Sequence, residues 1–247
     1  VDEYGAWPWN LADPTSFLKE VAPEAFEPQP PPAKRYDIYE AMTVDEPLGP
    51  LYEVRTENLT NGSWEPGPQE RHQTHMVEGS FYHTKGGDGP RKKAQWEHLM
   101  ADGQTIYRGV DTSPGEGKLY ELRDIIDQPW SAWCPRVMAV GETFYRNPQV
   151  TFKDKKTCEI VSNRRQESLI KLEAVHDKYT FFTGITLRDV VQLAWYDMSG
   201  RLIERYFYAK GYGLVGWGYG TTLRRAAISE IHDPGAREPN EREAVCT

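Results

Sequence analysis

Three histidines lie close together in this chain: His72-Gln-Thr-His75 and, eight residues beyond the second, His83. Histidine is the commonest metal ligand and the side chain that titrates nearest neutrality. On a single strand through 71–84, His75 and His83 share a face and His72 points to the other. That geometry does not gather three ligands, so no metal is expected and the default is histidines at the surface or the core edge. His98, His176 and His232 are isolated.

Gly211-Tyr-Gly213-Leu-Val-Gly216 matches the dinucleotide fingerprint letter for letter. The fingerprint also needs a helix opening at the third glycine, a returning parallel strand and an acidic residue about 20 positions on. Trp217-Gly-Tyr-Gly220 is a poor helix start, so the reading is a glycine-rich strand or bulge crossed closely by another element. Glu142, Glu167, Glu173, Asp189 and Glu204 lie on or beside expected strands. Glycoside hydrolysis would need two of them facing at about 5–9.5 Å, and spacing along a sheet selects no pair. Asp111-Thr-Ser113 precedes a proline and reads as a turn. With no nucleophile elbow and no phosphate loop, neither a catalytic residue nor a cofactor is assigned.

The aromatic residues are the remaining signal. Trp64, Trp96, Trp130, Trp133, Trp195 and Trp217 accompany many tyrosines, and Trp7 and Trp9 stand near the start. Aromatic rings stack on sugars and anchor protein interfaces. Most must fill the core, Trp195 above all. Trp130 and Trp133 flank a loop that either plugs the end of a β core or presents a contact surface. Trp130, Trp133, Trp64, Trp7 and Trp9 are the candidate binding residues. Lys85 with Arg91, Lys92 and Lys93 surrounds a glycine-rich turn and reads as a solvated hairpin tip.

Three cysteines, Cys134, Cys158 and Cys246, cannot all pair within one chain. A Cys134–Cys158 bridge is one possibility; two buried thiols and a tail thiol are the default. The formal charge of −8 disfavours a general nucleic-acid binder. No run approaches the roughly 18 apolar residues of a spanning helix. The aromatic content argues against disorder.

These residues must be positioned by strands. Residues 1–34 hold seven of the 18 prolines, which excludes a central strand or a long helix there. They read as a sticky arm with one short helix at 14–21. From 35 to 232 the pattern is strand after strand. Ser168–His176 alternates, with Ile170, Leu172 and Ala174 on one face. Asp189–Tyr196 is apolar on both faces, as a doubly covered central strand would be. Leu202–Ala209 is aromatic and β-branched. Further strands are expected at 36–42, 51–57, 73–84, 104–110, 117–123, 136–146, 149–153, 157–162 and 179–184. A weak helix is expected around 92–100, and a last strand or short helix at 222–231. Asn61-Gly62, Asp102-Gly103 and Ser199-Gly200 mark turns. The expected fold is mainly β, an antiparallel sandwich or partly open barrel, with an irregular N-terminal extension and a polar tail over 233–247.

Three stretches carry a resemblance: Ile106–Pro114, Trp133–Glu142 running on to Asn147–Phe152, and Glu204–Trp217 with its Tyr-Ala-Lys-Gly-Tyr-Gly-Leu-Val sequence. Over roughly 70–232 the chain resembles a group of bacterial, exported, lipoprotein-like β-rich proteins. The resemblance implies a place outside the cytoplasm and a non-catalytic role, and brings no site residues with it. The expected function is an extracytoplasmic or particle-surface protein that binds protein chains or glycans, with self-assembly through the N-terminal arm as one form. The alternatives are a carrier of a lipid-like ligand in a curved-sheet cavity and a carbohydrate-active hydrolase. No nucleic-acid partner is expected.

Overall fold

The computed structural model describes residues 32–87, 93–112, 118–123, 130–221, 223–244 and 246, with backbone only over 118–123. The N-terminal arm with Trp7 and Trp9, its short helix, and Arg91 and Lys92 lie outside the described residues. In chain order the strands are β1 (Arg35–Asp37), β2 (Tyr52–Thr60), β3 (Ser63–Val77), β4 (Ser80–Gly87), β5 (Lys93–Ala101) and β6 (Thr105–Asp111). Then come β7 (Lys118–Arg123), β8 (Ser131–Pro135), β9 (Val137–Ala139), β10 (Thr143–Arg146), β11 (Gln149–Asp154) and β12 (Ile160–Arg165). The last are β13 (Ser168–Thr180), β14 (Thr186–Tyr196), β15 (Leu202–Ala209), β16 (Gly213–Gly218), β17 (Arg224–Ile231) and β18 (Glu241–Arg242).

The fold is mainly β, and its antiparallel sheet curls into a nearly closed barrel of twelve strands. The path runs β10-β13-β14-β15-β16-β17-β2-β3-β4-β5-β6. β6 is forked: Thr105–Arg108 pairs β8, while Val110 and Asp111 pair β7, which continues to β11 and β12. β8 lies beside β10 without a hydrogen-bonded ladder, which brings the two ends of the path together.

Local chemistry explains the hairpins. Asn61 and Gly62 take φ of 50° and 82°, the doubly left-handed turn that matches the twist of flanking strands. Asp102 accepts from the backbone N–H of Gln104 and Thr105, both at 2.7 Å, and so turns β5 into β6. Asp197 does the same for Ser199 and Arg201 between β14 and β15.

Several expectations are corrected. Residues 92–100 contain strand β5 rather than a helix, because tertiary pairing with β4 and β6 overrides a weak local preference. The 36–42 strand is β1 followed by a 3-10 helix, Ile38–Met42, capped by the Asp37 carboxylate on the N–H of Tyr39. The 73–84 strand is a hairpin that turns at Glu78-Gly79, and 136–146 is divided by a turn at Gly141. The 179–184 segment is the end of β13 and a turn, and 222–231 ends as strand β17.

The tail is a strap. Gln73 donates to the carbonyl of Ala236 and accepts from the N–H of Glu238, Trp96 donates to the carbonyl of Glu243, and β18 pairs with β5. Cys246 is disulfide-bonded to Cys158, with Cα atoms 5.4 Å apart. Cys134 is a buried free thiol whose pKa burial pushes up. The Cys134–Cys158 pairing is thereby overturned: the strap brings Cys246 to the β11–β12 turn, while Cys134 sits inside β8.

The interior has two ends. Inward positions along β4 read Phe81, His83, Lys85, and along β5 Leu99 and Glu97. At the apolar end the 3-10 helix plugs the barrel, with Tyr39 edge-on to Phe81 at 5.9 Å and Met42, Phe81 and Leu99 around a void of about 10 Å³. The charged residues gather at the other end.

Candidate functional site

Glu204 and Tyr206 on β15 share a face with Tyr208, since side chains alternate along a strand. Tyr208 meets the apolar plug, whereas Glu204 and Tyr206 line a cavity of about 360 Å³. Its lining comes from strands all round the sheet path: Lys85 from β4, Glu97 from β5, Arg108 and Asp111 from β6, Trp133 from β8, Arg146 from β10. Trp195, Leu214 and Trp217 complete the opposite wall. The cavity therefore lies inside the barrel.

Charge is organised there. The Arg108 guanidinium donates to Glu97 at 2.8 Å and to Asp111 at 3.1 Å. Arg108 and Arg146 lie 4.5 and 4.8 Å from the centre of the Trp133 ring, a cation–π arrangement on each. Lys85 stands 5.4 Å from the centre of the Trp217 ring. Burial pushes the Glu204 carboxyl up, and the Glu97 charge adds to this, against a hydrogen bond from Tyr206 and the charges of Lys85 and Arg108.

Behind Trp217 runs a hydrogen-bonded chain. Thr74 donates to the carbonyl of Tyr212 at 2.7 Å, so its oxygen accepts from His83 Nδ1 at 2.9 Å. His83 Nε2 then accepts from His72 Nδ1 at 2.7 Å, and His72 Nε2 meets the Glu70 carboxylate at 3.0 Å. Each hydroxyl has one proton to give, so the chain is satisfied only when one further proton is shared by His72 and Glu70. Burial alone would raise Glu70, but the hydrogen bond and charge of His72, with Lys85 and Arg224, bring it down to about 2. Burial, with the charge of Lys85, lowers His72 against the hydrogen bond and charge of Glu70, and the Trp217 ring lies 5.1 Å from it. Gly213 belongs to this arrangement: at φ +84° a Cβ there would stand within contact distance of Thr74 Oγ1. The Gly211–Gly216 motif is thus a close crossing of strands.

The structure separates the sequence candidates. Trp133 is 1% exposed, inside the barrel and not on a contact loop. Trp195 packs against the hydrophobic core, as expected, and also lines the cavity. Trp130 packs edge-on to His98 at 4.6 Å and fills the space a Cβ on Gly109 would need, so it covers the outer face of the sheet. Trp64 lies on the far side, between Tyr219 and the Arg225 guanidinium at 4.2 Å. Lys85 is a cavity residue and not part of a solvated hairpin tip.

Among the carboxylates, Glu204 faces the cavity; Glu142 pairs with Arg35, Glu167 accepts from Tyr145 and Glu173 pairs with Arg205. The histidine geometry is corrected as well. The Glu78-Gly79 hairpin pairs Thr74 with His83 and His72 with Lys85, so His72 and His83 meet inside, and His75 stacks on Tyr82 outside. Among the described residues no cluster of three or more His, Cys, Asp or Glu is arranged to hold a metal. Glu97, Arg108, Asp111 and Arg146 were missed. Strand periodicity in 93–101, which puts Glu97 on the face of Leu99, was the available signal.

No protein-family model, no curated protein and no solved structure matches this chain. The resemblance over 70–232 rests on its three stretches alone. Among the described residues no helix is long and apolar enough to cross a membrane.

Proposed function

We propose that this protein is a non-enzymatic binding protein that holds a small polar ligand inside its barrel. One observation carries the reading: an interior cavity of about 360 Å³ lined by three tryptophans and six charged side chains. That volume is at the small end of ligand pockets, about 300–1,000 Å³. Apolar packing would fill such a space at lower electrostatic cost. The charged lining argues against the lipid-like cargo expected of a curved-sheet carrier, since a hydrocarbon would strand those charges. The Cys158–Cys246 disulfide supports a working place outside the cytoplasm.

The reading is tested by weighing the freshly purified chain under native and then denaturing conditions, with tryptophan fluorescence followed during ligand titration. A small mass lost on denaturation is expected, or, for an empty chain, quenching of Trp195 and Trp217 by added ligand. A bare chain whose fluorescence no small molecule alters would overturn it.

A second reading, hydrolysis, is favoured by the unlike environments of Glu97 and Glu204. Glu97 is ion-paired to Arg108, while burial pushes Glu204 up. A buried carboxyl pushed up beside an ion-paired carboxylate is the pairing of an acid with a base that such chemistry uses. It requires turnover on some glycan that falls by at least about 100-fold in Glu204→Gln; no turnover across a broad panel would remove it.

A further inference from the structure

Lys85 and Glu204 line the same cavity, yet among the described residues neither makes an ion pair. Every other acid in the lining is matched: Arg108 bridges Glu97 and Asp111. Lys85 stands over the Trp217 ring and Glu204 accepts from the Tyr206 hydroxyl, while the charges of Lys85 and Arg108 reach Glu204, and that of Lys85 reaches Glu70, only through space. A cation and an acid that share a partly desolvated space without touching leave room between them for a ligand that carries both counter-charges. The lining as a whole carries three cations, Lys85, Arg108 and Arg146, against three acids, Glu97, Asp111 and Glu204. It has no net excess to be met by a simple anion or a simple cation.

We propose that the ligand is a small zwitterion of the amino-acid class, with its carboxylate on Lys85, its ammonium on Glu204 and its body against the tryptophan rings. The proposal rests on the reading of the cavity as a ligand site. A fatty acid satisfies Lys85 and leaves Glu204 beside hydrocarbon. A neutral sugar offers hydroxyls to both and compensates neither charge. A zwitterion answers both groups at once, and its apolar body suits the faces of Trp195 and Trp217.

The test is a thermal-shift screen of the full chain against the twenty standard amino acids, decanoate and methyl glucoside. It is followed by titration of the best amino acid and its two truncated analogues, one lacking the amine and one lacking the carboxylate. At least one amino acid is expected to raise the melting midpoint, because a ligand that binds only the folded chain stabilises it. Each truncated analogue should bind at least about tenfold more weakly. Lys85→Met should remove the advantage of the amino acid over its amine analogue. Glu204→Gln should remove its advantage over the acid analogue. If either variant fails to fold, the analogues on the unaltered chain decide.

Analogues that bind as well as the amino acid overturn the proposal. If decanoate or methyl glucoside binds and no amino acid does, the ligand class falls and the cavity remains a ligand site. If nothing in the panel shifts the midpoint and native mass shows no bound molecule, both fall together.

Discussion

Arg108→Met is expected to destabilise the fold by about 3–5 kcal/mol at neutral pH, the usual cost of removing one partner from a buried ion pair. Arg108, Glu97 and Asp111 have side-chain exposures of 11%, 6% and 6%. Among the described residues, Arg108 is the cation paired with Glu97. Methionine keeps much of the packing on Trp133 but leaves the Glu97 charge buried without its counter-ion. The loss should depend on pH in a definite sense. Without Arg108, burial favours the neutral form of a carboxyl at this place over the charged one. The variant therefore loses stability as pH rises and approaches the parent as pH falls. Adding Glu97→Gln and Asp111→Asn should recover most of the loss at pH 7. Urea unfolding of the three chains at pH 5 and 7.5 provides the check, and a pH-independent loss below about 1 kcal/mol would contradict the buried triad.

Acid should unfold the parent chain well above the usual carboxylate range. Burial, with the charge of Arg242, lowers His75 and His98 to about 4, Arg237 adding to this at His75, and burial with the charge of His72 lowers His83 well below 6.5. A folded-state pKa below the unfolded value of about 6.5 means that the unfolded chain binds more protons in between. The stabilisation is complete above that value and is lost as pH falls from about 6.5 towards 4. A ring that stays neutral in the fold costs about 2.7 kcal/mol at pH 4.5, from two pH units at about 1.36 kcal/mol each. His83 is buried and contributes near that figure; His75 and His98 are partly exposed, and solvent screening reduces theirs. Glu204, raised in the fold, works in the opposite sense but is a single group. Stability should fall by roughly 3–5 kcal/mol between pH 7.5 and 4.5. His83→Gln, which can still accept from His72 and donate to Thr74, should flatten the profile. An unfolding midpoint that does not move over this range would refute neutral burial of these rings.

The cavity depends on how the barrel closes. The 3-10 helix fills the end marked by Phe81 and Leu99, so the inward positions farther along β4 and β5 face the cavity and not the plug. Lys85 and Glu97 occupy those positions. The strap from Asp233 to Cys246 covers the outer face of β3, β4 and β5, where Gln73 and Trp96 hold it by hydrogen bonds. β3 and β4 are thereby covered on both faces there, which is why the polar Gln73 on β3 and Thr84 on β4 are buried with their hydrogen bonds made.

What the sequence by itself determined is local. The period-two pattern of Ser168–His176 and Leu202–Ala209 specifies strands, because side chains alternate on a pleated backbone whatever lies beyond them. Asn61-Gly62 and Asp197 through Gly200 specify turns through their own backbone and carboxylate chemistry. Together they determined a mainly β antiparallel fold. The tertiary structure decided the site. Whether His72 meets His83 or turns away depends on one two-residue hairpin at Glu78-Gly79, which exchanges odd and even positions between β3 and β4. Whether Trp133 is a contact residue or a cavity wall depends on β8 docking against β6. Glu97 and Arg108 come from the neighbouring strands β5 and β6, whereas Glu204 comes from β15, far along the strand order, and only closure of the barrel brings it to the same space.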